Sequence, residues 1–355
     1  MKRRKIVLLG PYPPPYGGVA IFTKALFEFT KGSGVELWAA GENLPSEPGI
    51  RPIKYRRLGL IPLVLRWGSR VRIVDSFHFL LEYPNLLMVP LWVLFKLVLR
   101  FEWIKVVHDG SLPSRYRDFS FIQKLLFKLS VNSVDEFAVV NENIKAFLTN
   151  EIGTTKNVNT VNALLPIPRD ELNAALPEQI AAALGQYEKR VVSTGVFLPS
   201  YGFADAADAV ERIRRETGKR VGLILVDGAF IRDESYRAAV LAGRDWITVW
   251  EKLPHKQVLQ VFQRSDVFIR GFRHEGYGLS RIEAIWCGIP VIAAQGEESR
   301  GIALYDFGDL ETLVGHLKHA LFDASRGTLS HWAQIFRREA EENLERWKHI
   351  MRGDR

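Results

Sequence analysis

The stretch Ser265–Gly301, SDVFIRGFRHEGYGLSRIEAIWCGIPVIAAQGEESRG, restricts the possible folds more than any other part of the chain. Asp266 to Ile269 is a short, mainly apolar run that reads as a buried strand. A polar, glycine-containing loop follows from Arg270 to Gly278. Leu279, Ile282, Ile285 and Trp286 then recur at helical spacing. Gly288 ends that helix and Pro290 bars its continuation. Pro290 to Ala294 is a second buried strand. Strand, loop, helix and strand in this order imply a parallel sheet with a right-handed crossover.

In open parallel sheets, ligands gather beyond the carboxyl ends of the strands. The loop Arg270–Gly278 is therefore the place for chemistry. Gly276 and Gly278 let backbone approach a ligand closely. The helix start near Leu279 offers unpaired N–H groups and a partial positive charge, which suits a phosphate. Glu275 precedes the glycines, and Glu283 lies eight positions later, within the helix. A carboxylate accepts two hydrogen bonds at once from a vicinal diol. A diphosphate over the helix start, with a hydroxyl-rich group on either side, has the shape of a nucleotide sugar.

The ordered block Glu275-Gly276-Tyr277-Gly278-Leu279, then Glu283-Ala284, then Cys287-Gly288-Ile289-Pro290-Val291-Ile292 resembles the paired-carboxylate signature of family-four retaining glycosyltransferases. The resemblance implies an α/β protein of the GT-B fold, with two Rossmann-like parallel-sheet domains facing across a cleft. It implies that Glu283 holds the donor ribose and that Glu275 faces the donor sugar or diphosphate. Gly276, Tyr277, Gly278 and Leu279 would lie along the donor. An ordinary turn in a nucleotide-free domain is the competing reading, and the order of the whole block argues against it.

A chain of 355 residues suggests two domains, and 47% hydrophobic residues suffice for two cores. We expect an acceptor domain over residues 1–168, joined by a closing helix at 330–355, and a nucleotide-sugar domain over 169–329. Cys287 is the sole cysteine, which excludes a disulfide framework and a cysteine-rich metal site. There is no Asp-x-Asp motif and no His/Cys cluster, so neither metal nor cofactor is expected. The donor, a UDP- or GDP-sugar, is a substrate.

The net charge of +8 points to nucleic acid, an anionic membrane or an anionic substrate. No zinc-ligand spacing, RNA-recognition motif or basic-helix pattern supports nucleic acid. From Arg51 to Arg72, the cations Lys54, Arg56, Arg57, Arg66, Arg70 and Arg72 are interleaved with apolar residues. Two readings of this segment stand: peripheral contact with an anionic membrane, or a helix packed on the sheet with a solvated basic edge. The apolar run Leu86–Leu99 is shorter than the roughly 20 residues of a membrane span and contains Pro90 and Lys96. It reads as a buried core helix, with monotopic insertion the weaker alternative. Ile6 to Leu9 is too short for a signal peptide, which suggests a cytoplasmic protein, at the inner face of the membrane if the peripheral reading holds.

Lys5–Gly10 reads as a strand, Pro11–Gly18 as a loop and Val19–Thr30 as a helix, without a Gly-x-Gly-x-x-Gly fingerprint. The same family opens with strand, proline-rich loop, Gly-Gly-Val and helix. The resemblance thus sets Gly17 and Gly18 against the donor phosphates. His108 ends the strand Ile104–Val107, at a ligand-binding position. Relatives often carry a histidine there facing the donor sugar, so that role passes to His108, with Asp109 binding acceptor or orienting the ring. A histidine hydrogen-bonded in a strand-end turn is the other reading.

The family places an arginine and a lysine in the loop after the first strand of the second domain. Here that loop, Gly195–Gly202, has Val196 and Tyr201 at those places. Charge on a departing phosphate must be stabilised by preorganised donors. Arg270 and Arg273 are the replacements the sequence offers, unless Arg270 pairs with Glu275 or Asp266. The tail Leu329–Met351, capped by Ser330, should cross back onto the first domain, as GT-B chains do. The sequence therefore leads to a retaining glycosyltransferase acting on a glycan or lipid-linked acceptor in cell-surface polysaccharide or glycolipid synthesis. Two other readings remain: a catalytically silent GT-B protein that binds nucleotide sugar or a partner enzyme, and a sugar-nucleotide epimerase.

Overall fold

A computed structural model describes residues 4–53, 59–79, 88–229, 231–294, 296, 298–323 and 327–353. Lys54, Arg56, Arg57 and Leu58 of the basic segment, and Leu86 and Leu87 of the apolar run, lie outside them. The chain divides into two compact units, residues 1–165 with 342–355, and residues 166–341.

The first unit begins with β1 (Lys5–Pro11), α1 (Gly18–Thr30), β2 (Val35–Ala40), β3 (Ile50–Pro52), α2 (Ile61–Trp67) and β4 (Val71–Asp75). It continues with α3 (Met88–Leu99), β5 (Glu102–Val107), α4 (Leu112–Arg117), α5 (Phe121–Ser133), β6 (Glu136–Val139), α6 (Glu142–Ala146) and β7 (Asn157–Thr160). Its seven strands lie in the order β3-β2-β1-β4-β5-β6-β7, and every pairing is parallel. The order reverses between β1 and β4. Strands covered on both faces need near-continuous apolar sequence, and β4 is buried throughout. Its one cation, Arg72, reaches Glu102 at the start of β5, Glu136 at the start of β6, and the Ile350 carbonyl oxygen. Gly10 brings α1 close to β1: a Cβ there would press on Thr23 Oγ1 at 2.7 Å.

The second unit runs through α7 (Arg169–Leu172), α8 (Glu178–Gly185), β8 (Lys189–Gly195), α9 (Phe203–Thr217), β9 (Val221–Asp227), α10 (Glu234–Leu241) and β10 (Ile247–Glu251). Then come α11 (His255–Gln263), β11 (Val267–Arg270), α12 (Leu279–Trp286), β12 (Val291–Ala294), β13 (Ile302–Tyr305) and α13 (Leu310–Phe322). Six strands in the order β10-β9-β8-β11-β12-β13 form the sheet, again all parallel. Its reversal falls between β8 and β11. The core is built from β9, buried over its whole length, and from the apolar stripe Phe203, Ala206, Val210 and Ile213 of α9.

The last helix, α14, spans Gly327–Arg352. It starts before Ser330, so that residue is not its cap. Its end belongs to the first unit, where Trp347 is fully buried, donates its indole N–H to the Asn162 carbonyl at 3.0 Å, and packs edge-on against Phe22 at 5.0 Å. The alanine-rich stretch Leu172–Glu188, which reads as a helical linker, is not one continuous helix: α7 ends at Leu172 and α8 runs Glu178–Gly185, with Pro177 at its entrance. Nor is the apolar run a buried core helix: α3 covers Val89, Trp92 and Val93 but leaves Leu94, Leu97 and Val98 in solvent. Among the described residues, no helix is long and apolar enough to cross a membrane.

Candidate functional site

The reversal between β8 and β11 brings the carboxyl ends of two neighbouring strands together, where an open parallel sheet takes its ligand. Arg270, the last residue of β11, spans that point. Its guanidinium donates to the Thr194 carbonyl of β8 at 2.6 Å and, through Nε, to Glu275 Oε2 at 2.7 Å. The expected alternative of an Arg270–Glu275 pair is therefore what the structure contains; Asp266 instead binds Arg190. Tyr201 stacks on Phe272 at 4.3 Å between ring centroids, and the Arg270 guanidinium lies over both rings.

Glycines make this approach possible. Gly202 has φ +66, and a Cβ on it would stand 2.7 Å from the Gly271 carbonyl oxygen. The loops after β8 and β11 thus meet backbone to backbone, tied by the Arg273 N–H to the Ser200 carbonyl at 3.0 Å. Tyr201 occupies the space a side chain at Gly195 would need. Arg273 itself is exposed, with its guanidinium over the Phe307 ring at 5.6 Å.

The loop 270–278 delivers the chain into α12 through Gly278, at φ +77. An L side chain there would be strained, and its Cβ would collide with the Arg281 guanidinium. Arg281 curls back beneath the helix start, is 1% exposed, and donates to the Tyr277 carbonyl at 2.9 Å. Burial holds its guanidinium below its ordinary value; Glu275 opposes that shift and Arg270 adds to it. The Tyr277 hydroxyl is buried, which raises its pKa. Gly276 and Leu279 complete the turn, both half-buried.

Glu283 does not project freely from α12. It is buried and accepts from His255 Nε2 at 2.9 Å, while His255 Nδ1 meets Glu171 Oε2 at 2.8 Å. A ring with a carboxylate on each nitrogen must carry both protons. Burial lowers the imidazole's pKa, but Glu283 and Glu171 outweigh it and push it up to about 10. His255 begins α11 and Glu171 sits in α7. The Gln260 and Gln263 amides fasten the end of α7 by donating to the Leu172 carbonyl at 2.7 and 3.0 Å. In the sequence, His255 reads only as part of Lys252–Lys256, the lead-in to a helix over Gln257–Gln263. A lone histidine carries no signal when its partners come from positions 171 and 283.

The other expected residues belong to the first unit. Gly17 and Gly18 sit beyond β1 at the entry to α1, Gly17 extended at φ −134. A Cβ on Gly18 would meet nothing within 4 Å, so the fold itself does not demand glycine there. His108 follows β5, edge-on to Phe22 at 4.8 Å, and its Nε2 is buried without a partner among the described residues. Burial, then the charges of Lys105 and His78, lower its pKa to about 3, so it is a neutral imidazole at neutral pH. That orphan nitrogen argues against a histidine satisfied within a turn. Asp109 does not orient the ring: it accepts from the Ser111 N–H at 2.9 Å and from Arg115 at 2.9 Å. Beneath lies a pair that sequence reading missed, with the Lys105 ammonium on the Asp75 carbonyl at 3.1 Å and Asp75 taking the Trp103 indole N–H at 3.1 Å. No cluster of His, Cys, Asp and Glu suited to a metal occurs among the described residues.

Residues 178–303 match the family described as Glycosyl transferases group 1. The match lies wholly within the second unit. No curated protein matches the sequence significantly. Among solved structures, Anabaena HepE in complex with UDP and glucose is similar at a TM-score of 0.73 and 15% identity, covering 98% of this chain and 99% of its own. Trehalose-6-phosphate synthase OtsA gives 0.69 and 12% identity over 98% of each chain. Sucrose-phosphate synthase from Thermosynechococcus elongatus gives 0.61 and 16% identity over 98% and 96%. At these identities the likeness establishes the fold, GT-B, with its two parallel-sheet α/β domains.

Proposed function

We propose that this protein is a retaining glycosyltransferase that moves a sugar from a nucleotide-sugar donor to a glycan or lipid-linked acceptor in cell-surface polysaccharide or glycolipid synthesis. One observation carries the reading: Glu275, Arg270 and the left-handed Gly278 converge where α12 begins, at the reversal point of a glycosyl transferases group 1 domain. Backbone N–H groups there suit a diphosphate, and Arg270 stands ready to exchange part of its bond with Glu275 for a phosphate oxygen. Glu283 would take the ribose, Arg273 the diphosphate, and Gly276, Tyr277 and Leu279 the donor's flank. Gly17 and Gly18 would serve the donor phosphates from the first unit, and neutral His108 a hydroxyl of the donor sugar.

In this reading the C1–O bond to the β-phosphate breaks as the acceptor oxygen bonds C1 on the same face. The departing phosphate oxygen takes the acceptor's proton. HepE and trehalose-6-phosphate synthase have been solved with UDP or UDP-sugar ligands, which favours a UDP-sugar over a GDP-sugar. No cofactor is needed. Calorimetric titration of UDP into wild type, Arg270→Ala and Arg273→Ala tests the site. Loss of one charge-assisted contact of about 1.5–3 kcal/mol should weaken binding by roughly tenfold or more. Unchanged affinity in both variants removes these arginines from the donor site. Slow release of UDP from UDP-glucose by the wild type separates a transferase from a silent binding protein.

A further inference from the structure

The helices on one face of the first sheet leave an apolar surface uncovered. Right-handed crossovers put α2, α3 and α5 on the same side of the strands, and α3 packs against both of the others. On α3, Leu94, Leu97 and Val98 lie opposite the buried Val89, Trp92 and Val93, and each is more than half exposed. On α5, Phe121, Ile122 and Leu125 fall along one face, with Phe121 82% exposed. Leu65 of α2 extends the surface. Scattered exposed leucines are ordinary, but a contiguous group on packed helices marks an interaction site. A helix apolar around its whole circumference belongs inside a protein or a membrane, and α3 is only half inside the protein.

Charge selects the partner. No acidic residue occurs in α2, α3 or α5. Lys96 of α3 is engaged by Asp135, and Lys124 rests on the Arg117 carbonyl. Arg66, Arg70, Arg100 and Lys128 are exposed and have no ion-pair partner among the described residues; exposed Asp118 and Asp135 flank α5, and Asp135 is held by Lys96. A second copy meeting this surface face to face would set like charge against like charge. An anionic lipid surface meets both features: its acyl boundary takes the leucines and Phe121, and its headgroups take the cations, whose long stems reach out from apolar contacts.

We infer that the α2–α3–α5 face is a monotopic docking surface for anionic membrane. Of the described residues in the interleaved segment Arg51–Arg72, Leu65, Arg66 and Arg70 are exposed, whereas Arg51 pairs with Glu36 and Arg72 is buried among carboxylates. The inference is independent of the proposed sugar transfer.

The test is co-sedimentation of the full chain with vesicles of phosphatidylcholine alone, or mixed with an equal part of phosphatidylglycerol. Wild type should pellet with the mixed vesicles and be released as salt rises. The triple variant Leu97→Gln, Ile122→Gln, Leu125→Gln should bind about tenfold or more weakly, with circular dichroism, melting temperature and UDP affinity unchanged. Arg66→Gln with Lys128→Gln should weaken binding and flatten its salt dependence. Wild type remaining in solution with both vesicles overturns the inference, as does undiminished binding of the triple variant. Equal pelleting with pure phosphatidylcholine overturns the anionic assignment. A dimer in light scattering that the triple variant dissolves would show instead that a second copy covers the face.

Discussion

Replacing His255 by glutamine removes a cation shared by Glu171 and Glu283. The amide can still reach one carboxylate but carries no charge. The three side chains are 12%, 17% and 9% exposed for His255, Glu171 and Glu283, so water compensates little. Breaking a buried pair in this way costs about 3–5 kcal/mol. For a unit the size of residues 166–341, each 1 kcal/mol moves the melting temperature by roughly 2–4 °C, which gives a fall of about 6–20 °C. The pH dependence provides a second, independent readout. The folded imidazole titrates at about 10, above the roughly 6.5 of an unfolded histidine. Its stabilisation is therefore complete below about pH 6.5 and is lost as pH rises through about 10. Wild-type stability should fall by up to about 1.4 kcal/mol per pH unit between those limits, and His255→Gln should lack that slope. Calorimetric scans from neutral to alkaline pH measure both effects. A variant within about 2 °C of wild type, with the same alkaline slope, would refute the imidazolium bridge. If the bridge also positions Glu283 for a ribose, UDP affinity in the variant should drop at pH 7 even where the protein remains folded.

Gly278→Ala should destabilise by more than the roughly 1–2 kcal/mol of a left-handed L residue, because Arg281 must also vacate the Cβ position. UDP binding should weaken in parallel, whereas Gly18→Ala, with open space around it, should leave the melting temperature unchanged. Trp347→Ala removes a fully buried ring and its bond to Asn162. It should cost about 3–5 kcal/mol, read as faster hydrogen exchange at the end of α14 and around Asn162; exchange as slow as in wild type would show that the tail is held by other contacts.

Strands and their order of appearance were legible wherever the chain had to bury both faces of a sheet. Lys5–Gly10 is such a run, one residue short of the observed β1, and Val221–Asp227, buried over its whole length, is another. The short edge strands Ile50–Pro52 and Ile302–Tyr305 were missed, because partly exposed strands need no apolar continuity. Leu86–Leu99 was misjudged for a related reason: apolar sequence reports a demand for burial, and the first unit meets only half of it. Around the site, local order carried the message. Glu275, Gly278 and the start of α12 are consecutive, so motif and geometry coincide. His255, Lys105 and Asp75 were illegible because each acquires its meaning from a partner brought near by folding.

The loop after β8 raises the sharpest chemical question, since it holds Tyr201 where a cation is expected. In the proposed donor site the charge would be moved in position rather than lost. Tyr201 folds over the end of β8 against Gly195 and forms, with Phe272, an aromatic bed for Arg270. A guanidinium held by two rings, a strand carbonyl and one carboxylate has few ways to move. Arg281 adds a second positive charge from under the same helix start, where the helix dipole is itself positive. Two cations and a dipole end meet there with Glu275, and Glu298, which also acts on Arg281, is itself bound by Arg300. In the proposed donor site these positive groups suit a ligand with more than one anionic oxygen, which a diphosphate has and a neutral sugar has not. The cations thus reach the helix start from β11 and α12 instead of from the loop after β8, and a Tyr201→Ala exchange would loosen Arg270 without removing any charge.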